Sequence, residues 1–203
     1  MSAERSGRPR STRRRWLAAA VLGGAGWTSV GCTATVAPPE SVRAPVTVHL
    51  LREAMHTGLV LPPPPGGGDY VEYGFGDWQW FALGNDAWHR VFATVLWPTQ
   101  GTLGLRPFRA SDDAALRRAA YWADLTPLVV ERELVEALRR KLEARADGRR
   151  AEAVQRPSLG WTFVPDDESY WFPNTCADVV GAWCEELGCD VSWVPICSAL
   201  AKR

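Results

Sequence analysis

NTCADVVGAWCEELG, residues 174–188, is the stretch from which the reading of this chain proceeds. Asn174 is a good N-cap and Gly188 a good stop, so a helix is expected from about Thr175 to Leu187. Cys176, Val179, Val180, Trp183 and Leu187 recur at intervals of three and four, which puts them on one buried stripe. Cys176 therefore faces the body of the protein from the first turn. A thiol there meets unpaired backbone N–H groups and the positive end of the helix dipole, a setting that favours thiolate and can also hold an oxyanion.

Upstream, the pattern is that of strands. Val46–Leu51 and Thr57–Leu61 are short β-prone runs, four prolines and three glycines from Pro62 to Gly68 interrupt them, and Tyr70–Tyr73 resumes. Trp88–Leu96 reads as a fourth strand. The period then changes: Ser111 caps a helix over Asp112–Asp124, and Thr126-Pro127 opens a longer one in which Val130, Leu134, Leu138 and Leu142 recur every four residues, with Gly148 as its stop. The expected class is α+β, an antiparallel sheet packed against the C-terminal helix.

The N-terminus reads as an address. Six arginines between Arg5 and Arg15 precede an uncharged apolar run, Trp16–Val30, too short and glycine-rich for a comfortable membrane span. Thr12-Arg13-Arg14-Arg15-Trp16-Leu17 resembles a twin-arginine export signal, and Ser29-Val30-Gly31-Cys32 resembles a lipoprotein cleavage box with Cys32 as the acylated residue. The expected organisation is an export signal at 1–31, a proline-containing tether at 32–45 and one globular domain at 46–203, located on the periplasmic side of the envelope and anchored to a membrane through Cys32. Beyond residue 31 the chain has 17 basic against 22 acidic residues, a balance of −5 with no basic footprint for nucleic acid. Neither a metal-ligand spacing nor a phosphate loop occurs, so neither metal nor cofactor is expected.

A nucleophilic thiol needs a base, and the histidines are His49, His56 and His89. His56 is favoured: it stands at the mouth of a strand, ahead of the small pair Thr57-Gly58, which lets another element approach closely. His49 alternates within a strand as a face residue, and His89 lies in a tryptophan-rich segment. His56-Thr57-Gly58, then Glu72-Tyr73-Gly74-Phe75-Gly76-Asp77, then Thr175-Cys176 before a C-terminal helix, in that order, resembles the bacterial family called domain of unknown function 2459 over residues 46–192. More distantly, a strand-borne His with a late Cys at a helix start resembles the circularly permuted NlpC/P60 branch of papain-like thiol hydrolases and acyltransferases.

That resemblance implies Cys176 as nucleophile, His56 as base and Glu72 as the residue that orients the imidazole, with Asp77 as competitor for the last role. Ala177 stands where the family pattern leads one to expect a polar residue, with Asp178 next. Trp78 and Trp171 flank the two segments as candidate binding residues, and Tyr170 carries a hydroxyl suited to assist an oxyanion. The expected activity is hydrolysis of an amide or ester in the envelope, a cell-wall peptide first, with lipid acyl transfer as runner-up. The competing class is a non-catalytic lipoprotein that binds a partner or wall component through its aromatic residues, with Cys176 a half-cystine paired to Cys189 or Cys197.

Overall fold

The computed structural model describes residues 33–54, 56–85, 97–192 and 199–203. The Trp88–Leu96 strand expectation, His89, Cys32 and Cys197 lie outside the described residues. The fold is mixed α+β. Its main sheet has seven antiparallel strands in the order β6-β2-β3-β4-β5-β8-β7, formed by β2 (Pro45–Glu53), β3 (His56–Leu61), β4 (Tyr70–Asp77), β5 (Thr99–Phe108), β6 (Asp124–Glu131), β7 (Val154–Arg156) and β8 (Trp161–Tyr170). Among the described residues no helix is long and apolar enough to cross a membrane.

Alternation along the strands gives the sheet two buried faces. On one, Leu50, Leu59, Tyr73, Phe75 and Leu103 form the main core with two helices, α2 (Arg132–Gly148) through Leu138 and Leu142, and α3 (Cys176–Glu186) through Val179, Val180 and Trp183. On the other, Leu51, Val60, Tyr70 and Phe108 pack on Leu116 of α1 (Asp113–Ala119). Both faces are covered, so groups between them are withdrawn from water.

Local signals place α3. Asp178 accepts hydrogen bonds from the Thr175 backbone N–H (2.9 Å) and hydroxyl (2.6 Å), so Thr175 rather than Asn174 caps the helix. At the other end Gly188 adopts φ +81°, its N–H bonding the Glu185 carbonyl, while the Cys189 N–H bonds that of Cys184. The acid next to Ala177 thus works on the backbone of the helix entrance.

Three expectations need correction. The helix expected from Thr126-Pro127 begins only at Arg132, because Asp124–Glu131 pairs along its length with β2. Pro127 is tolerated there because β6 is the edge of the sheet, and Leu134 of the expected stripe is 38 % exposed while Val135 is buried in its place. The helix expected over Asp112–Asp124 is cut to Asp113–Ala119, capped by Asp112 rather than Ser111, because residues 120–123 turn the chain into β6, which begins at Asp124.

The third concerns the tether. Thr33–Ala37 forms a strand, β1, between β9 (Asp190–Val191) and β10 (Ala199–Lys202) in a separate three-stranded sheet, and Val36 is fully buried. Prolines 38 and 39 end that strand rather than marking a flexible leash. Val36→Asp should therefore destabilise the protein by several kcal/mol, read by urea unfolding, because it buries a charge without a partner; a tether residue at that position would tolerate the change.

Candidate functional site

His56 opens β3 immediately after a tight hairpin in which Glu53 pairs with His56 and Ala54 takes φ 39°, a conformation that is strained for alanine. The pairing of β3 with β4 starts only at Gly58 opposite Gly74, so the imidazole stands at the open end of the two strands. Its ring is 11 % exposed and packs edge-on to Trp161 (centroids 5.8 Å apart) and tilted to Phe81 (5.8 Å). Trp161 in turn stacks on Phe163 at 5.3 Å.

Glu72, on β4, has no exposure. Its Oε1 lies 3.5 Å from His56 Nε2, and its Oε2 receives Arg106 through Nε at 2.7 Å and a second guanidinium nitrogen at 2.5 Å. Arg106 is itself held between the rings of Trp122 and Trp161, 4.3 and 4.5 Å from their centroids. A buried carboxylate persists as a charge only when it is paired, and Arg106 supplies the pairing. Because both guanidinium contacts fall on one oxygen, the other is left to face the imidazole.

Cys176 is 3 % exposed at the first position of α3 and is a thiol, as are Cys184 and Cys189, so Cys176 and Cys189 are not joined as half-cystines. The His56 ring nitrogens are not in strict hydrogen-bond alignment, but they are electrostatically coupled to both the Cys176 thiol and Glu72. Burial by itself lowers the His56 pKa, yet the nearby Cys176 sulfur and Glu72 carboxylate, as acceptors and as charges, outweigh it, and the pKa is pushed up to about 9.

Tyr170, at the end of β8, reaches the same helix entrance. Its hydroxyl accepts from the Cys176 backbone N–H, and burial followed by the charges of Cys176, Asp77 and Asp178 pushes its pKa up, so the phenol stays neutral. Asp77 is buried at the end of β4; one oxygen accepts the Trp80 N–H at 2.7 Å and caps the π-helical turn Trp78–Ala82, while the other, Oδ2, has no hydrogen-bond partner among the described residues. The geometry thus gives Glu72 rather than Asp77 the contact with His56. Trp78 is half-buried against Trp161 and Phe163, and Trp171 is 39 % exposed in a turn closed with Asn174.

His49 is accounted for elsewhere: it is 1 % exposed, its Nε2 lies 2.5 Å from Asp113, and burial, partly offset by Asp113, lowers its pKa. It pins α1 to the sheet. Sequence reading missed Arg106 and Trp161, which lie on strands it did not assign. Their one visible signal was local: Arg106 sits between apolar residues of the Leu103–Phe108 run, where a buried cation needs an acid.

Two glycines make the site possible. A Cβ on Gly58 would stand 2.3 Å from Glu72 Oε1, and one on Gly74 would stand 2.9 Å from the His56 ring. The close approach expected at Thr57-Gly58 is therefore that of the Glu72 carboxylate.

Compared with protein-family models, with curated proteins and with solved structures, the chain matches none.

Two predictions follow from this geometry. Because the folded pKa of His56 is raised from about 6.5 to about 9, the stability it contributes is fully present below pH 6.5 and is lost as pH rises through 9. In urea titrations the wild type should exceed His56→Ala by an excess that shrinks between pH 6 and pH 10, by on the order of 3 kcal/mol. A pH-independent difference would contradict the coupling. Gly58→Ala should cost about 1–3 kcal/mol by overpacking and lower the His56 pKa, visible as an upfield-shifted NMR titration midpoint toward neutral pH, since the carboxylate is displaced from the ring.

Proposed function

We propose that this chain is a thiol hydrolase in a permuted papain-like arrangement, with Cys176 as nucleophile, His56 as acid and base, and Glu72 as the residue that orients the imidazole. The observation that carries this reading is the convergence of two side chains, Glu72 from β4 and Cys176 from α3, upon the buried imidazole of His56 on β3. With a pKa of about 9, His56 holds a proton at pH 7.

In this reading the Cys176 proton resides on His56, and the sulfur attacks an amide or ester carbonyl. A carbon–sulfur bond forms while the carbonyl electron pair moves to oxygen, to which the neutral Tyr170 hydroxyl would donate a hydrogen bond. His56 passes its proton to the departing amine or alcohol as the old bond breaks. Water then gives a proton to His56 as its oxygen attacks the thioester, and the carbon–sulfur bond breaks, which releases the acid and returns the sulfur and the protonated imidazole to their starting state.

The sequence reading supplies the setting: export through residues 1–31 and attachment at Cys32, with an envelope substrate, a cell-wall peptide first. Lipid acyl transfer uses the same steps with an alcohol or amine in place of water. Exposed Trp97 (68 %) and Tyr121 (84 %) favour a second reading, a binding lipoprotein that uses its aromatic surface.

Thiol labelling separates the two readings. Burial pushes the thiols of Cys184 and Cys189 up, that of Cys189 to about 11, so iodoacetamide at pH 7 should modify Cys176 ahead of these two. His56→Ala should slow that modification at least about tenfold, followed by mass spectrometry of the tryptic peptide, with Cys176→Ala as the blank. Equal rates in wild type and His56→Ala would leave the binding reading in possession.

A further inference from the structure

Beside His56 lies a cavity of about 160 Å³. Its walls are Phe81, Leu159, Trp161 and Phe163, and the imidazole itself forms one side. The backbone of Gly74 and Gly76 lines it as well, where side chains would fill the space. Among its polar groups, the Arg106 guanidinium is already engaged with Glu72, and Glu53 brings a partly exposed carboxylate.

We infer that this cavity is the specificity pocket of the proposed hydrolase and that it takes a neutral aromatic or branched aliphatic group of the substrate, of about benzene size. The inference rests on the thiol hydrolase reading. Size sets the upper limit: an apolar cavity of about 150 Å³ holds one benzene ring, so a long acyl chain does not fit within it. The lining supports a ring or a short branched chain, because Phe81, Leu159, Trp161 and Phe163 offer it apolar and aromatic surface. Charge disfavours an acidic group, since the Arg106 guanidinium and the protonated His56 are already matched by Glu72 and Glu53, so a further anion buried there would have no partner of its own. Continuity with the chemistry is given by His56, which belongs both to the pocket wall and to the coupled pair with Cys176.

The pocket narrows the substrate beyond a class of bond. A peptide bond next to a phenylalanine, leucine or similar side chain fits, as does an ester of a short branched or aryl acid. An acidic peptide side chain or a fatty acyl chain does not.

The test uses the full chain and N-substituted chloroacetamides, in which the Cys176 sulfur displaces chloride as the carbon–sulfur bond forms. The N-substituents are methyl, isobutyl, benzyl, dodecyl and carboxymethyl, and each rate is normalised to that with glutathione. The isobutyl and benzyl probes should label Cys176 at least about tenfold faster than methyl, dodecyl should gain nothing over benzyl, and carboxymethyl should be no faster than methyl. Leu159→Trp, at a residue 51 % exposed on the cavity wall, should remove the benzyl advantage, so that the benzyl and methyl probes label at similar rates. Normalised rates that are equal across the series, or fastest for dodecyl or carboxymethyl, overturn the pocket assignment while a His56-dependent methyl rate keeps the hydrolase reading standing. Labelling that ignores His56 removes that reading, and the pocket assignment with it.

Discussion

The Glu72 carboxylate, without exposure and inside a seven-stranded sheet, is the constraint on which the site depends. A charge there is tolerable only if its surroundings answer it, and Arg106 does so from the neighbouring strand with two contacts to a single oxygen. Arg106 is fixed in turn by the faces of Trp122 and Trp161. What remains is one carboxylate oxygen with a single open direction, toward His56. The imidazole inherits its orientation and its raised pKa from that arrangement together with the thiol at the helix start.

Packing and electrostatics are joined at the glycines. Gly58 and Gly74 lie directly opposite each other on β3 and β4, and each leaves room for a functional side chain that a methyl group would collide with. The sheet therefore gives up side-chain packing at its centre to admit a carboxylate and an imidazole. Stability is recovered on the opposite face, where Leu59, Tyr73 and Phe75 bury against α2 and α3. The same helix α3 that closes this core delivers Cys176 to the imidazole, so core packing also sets the position of the thiol.

The surroundings of His56 have a second consequence. Trp161, Phe81 and Phe163 keep water from the ring, which strengthens its coupling to Glu72 and Cys176, and they also form the walls of the adjoining cavity. One aromatic cluster thus controls both the charge state of the imidazole and the shape of the space beside it. His49, more deeply buried but paired with Asp113 at the start of α1, has its pKa lowered where that of His56 is raised, so burial alone does not set the charge of a histidine in this fold.

From residue spacing alone came the helix that bears Cys176, the strand that His56 opens, Glu72 on the next strand, and the mixed α+β class. These are local matters: three- and four-residue spacing, a cap, a glycine stop and β-prone runs all act within a few neighbours. Folding decided that Thr126–Val130 is an edge strand, because pairing with β2 outweighs a four-residue period, and that Thr33–Ala37 is a strand, because its partners lie more than 150 residues away. It decided too that Arg106 meets Glu72 across 34 residues, and that Trp161 closes on the imidazole. Such contacts depend on strand order and register, and no local pattern records which distant residue will stand opposite.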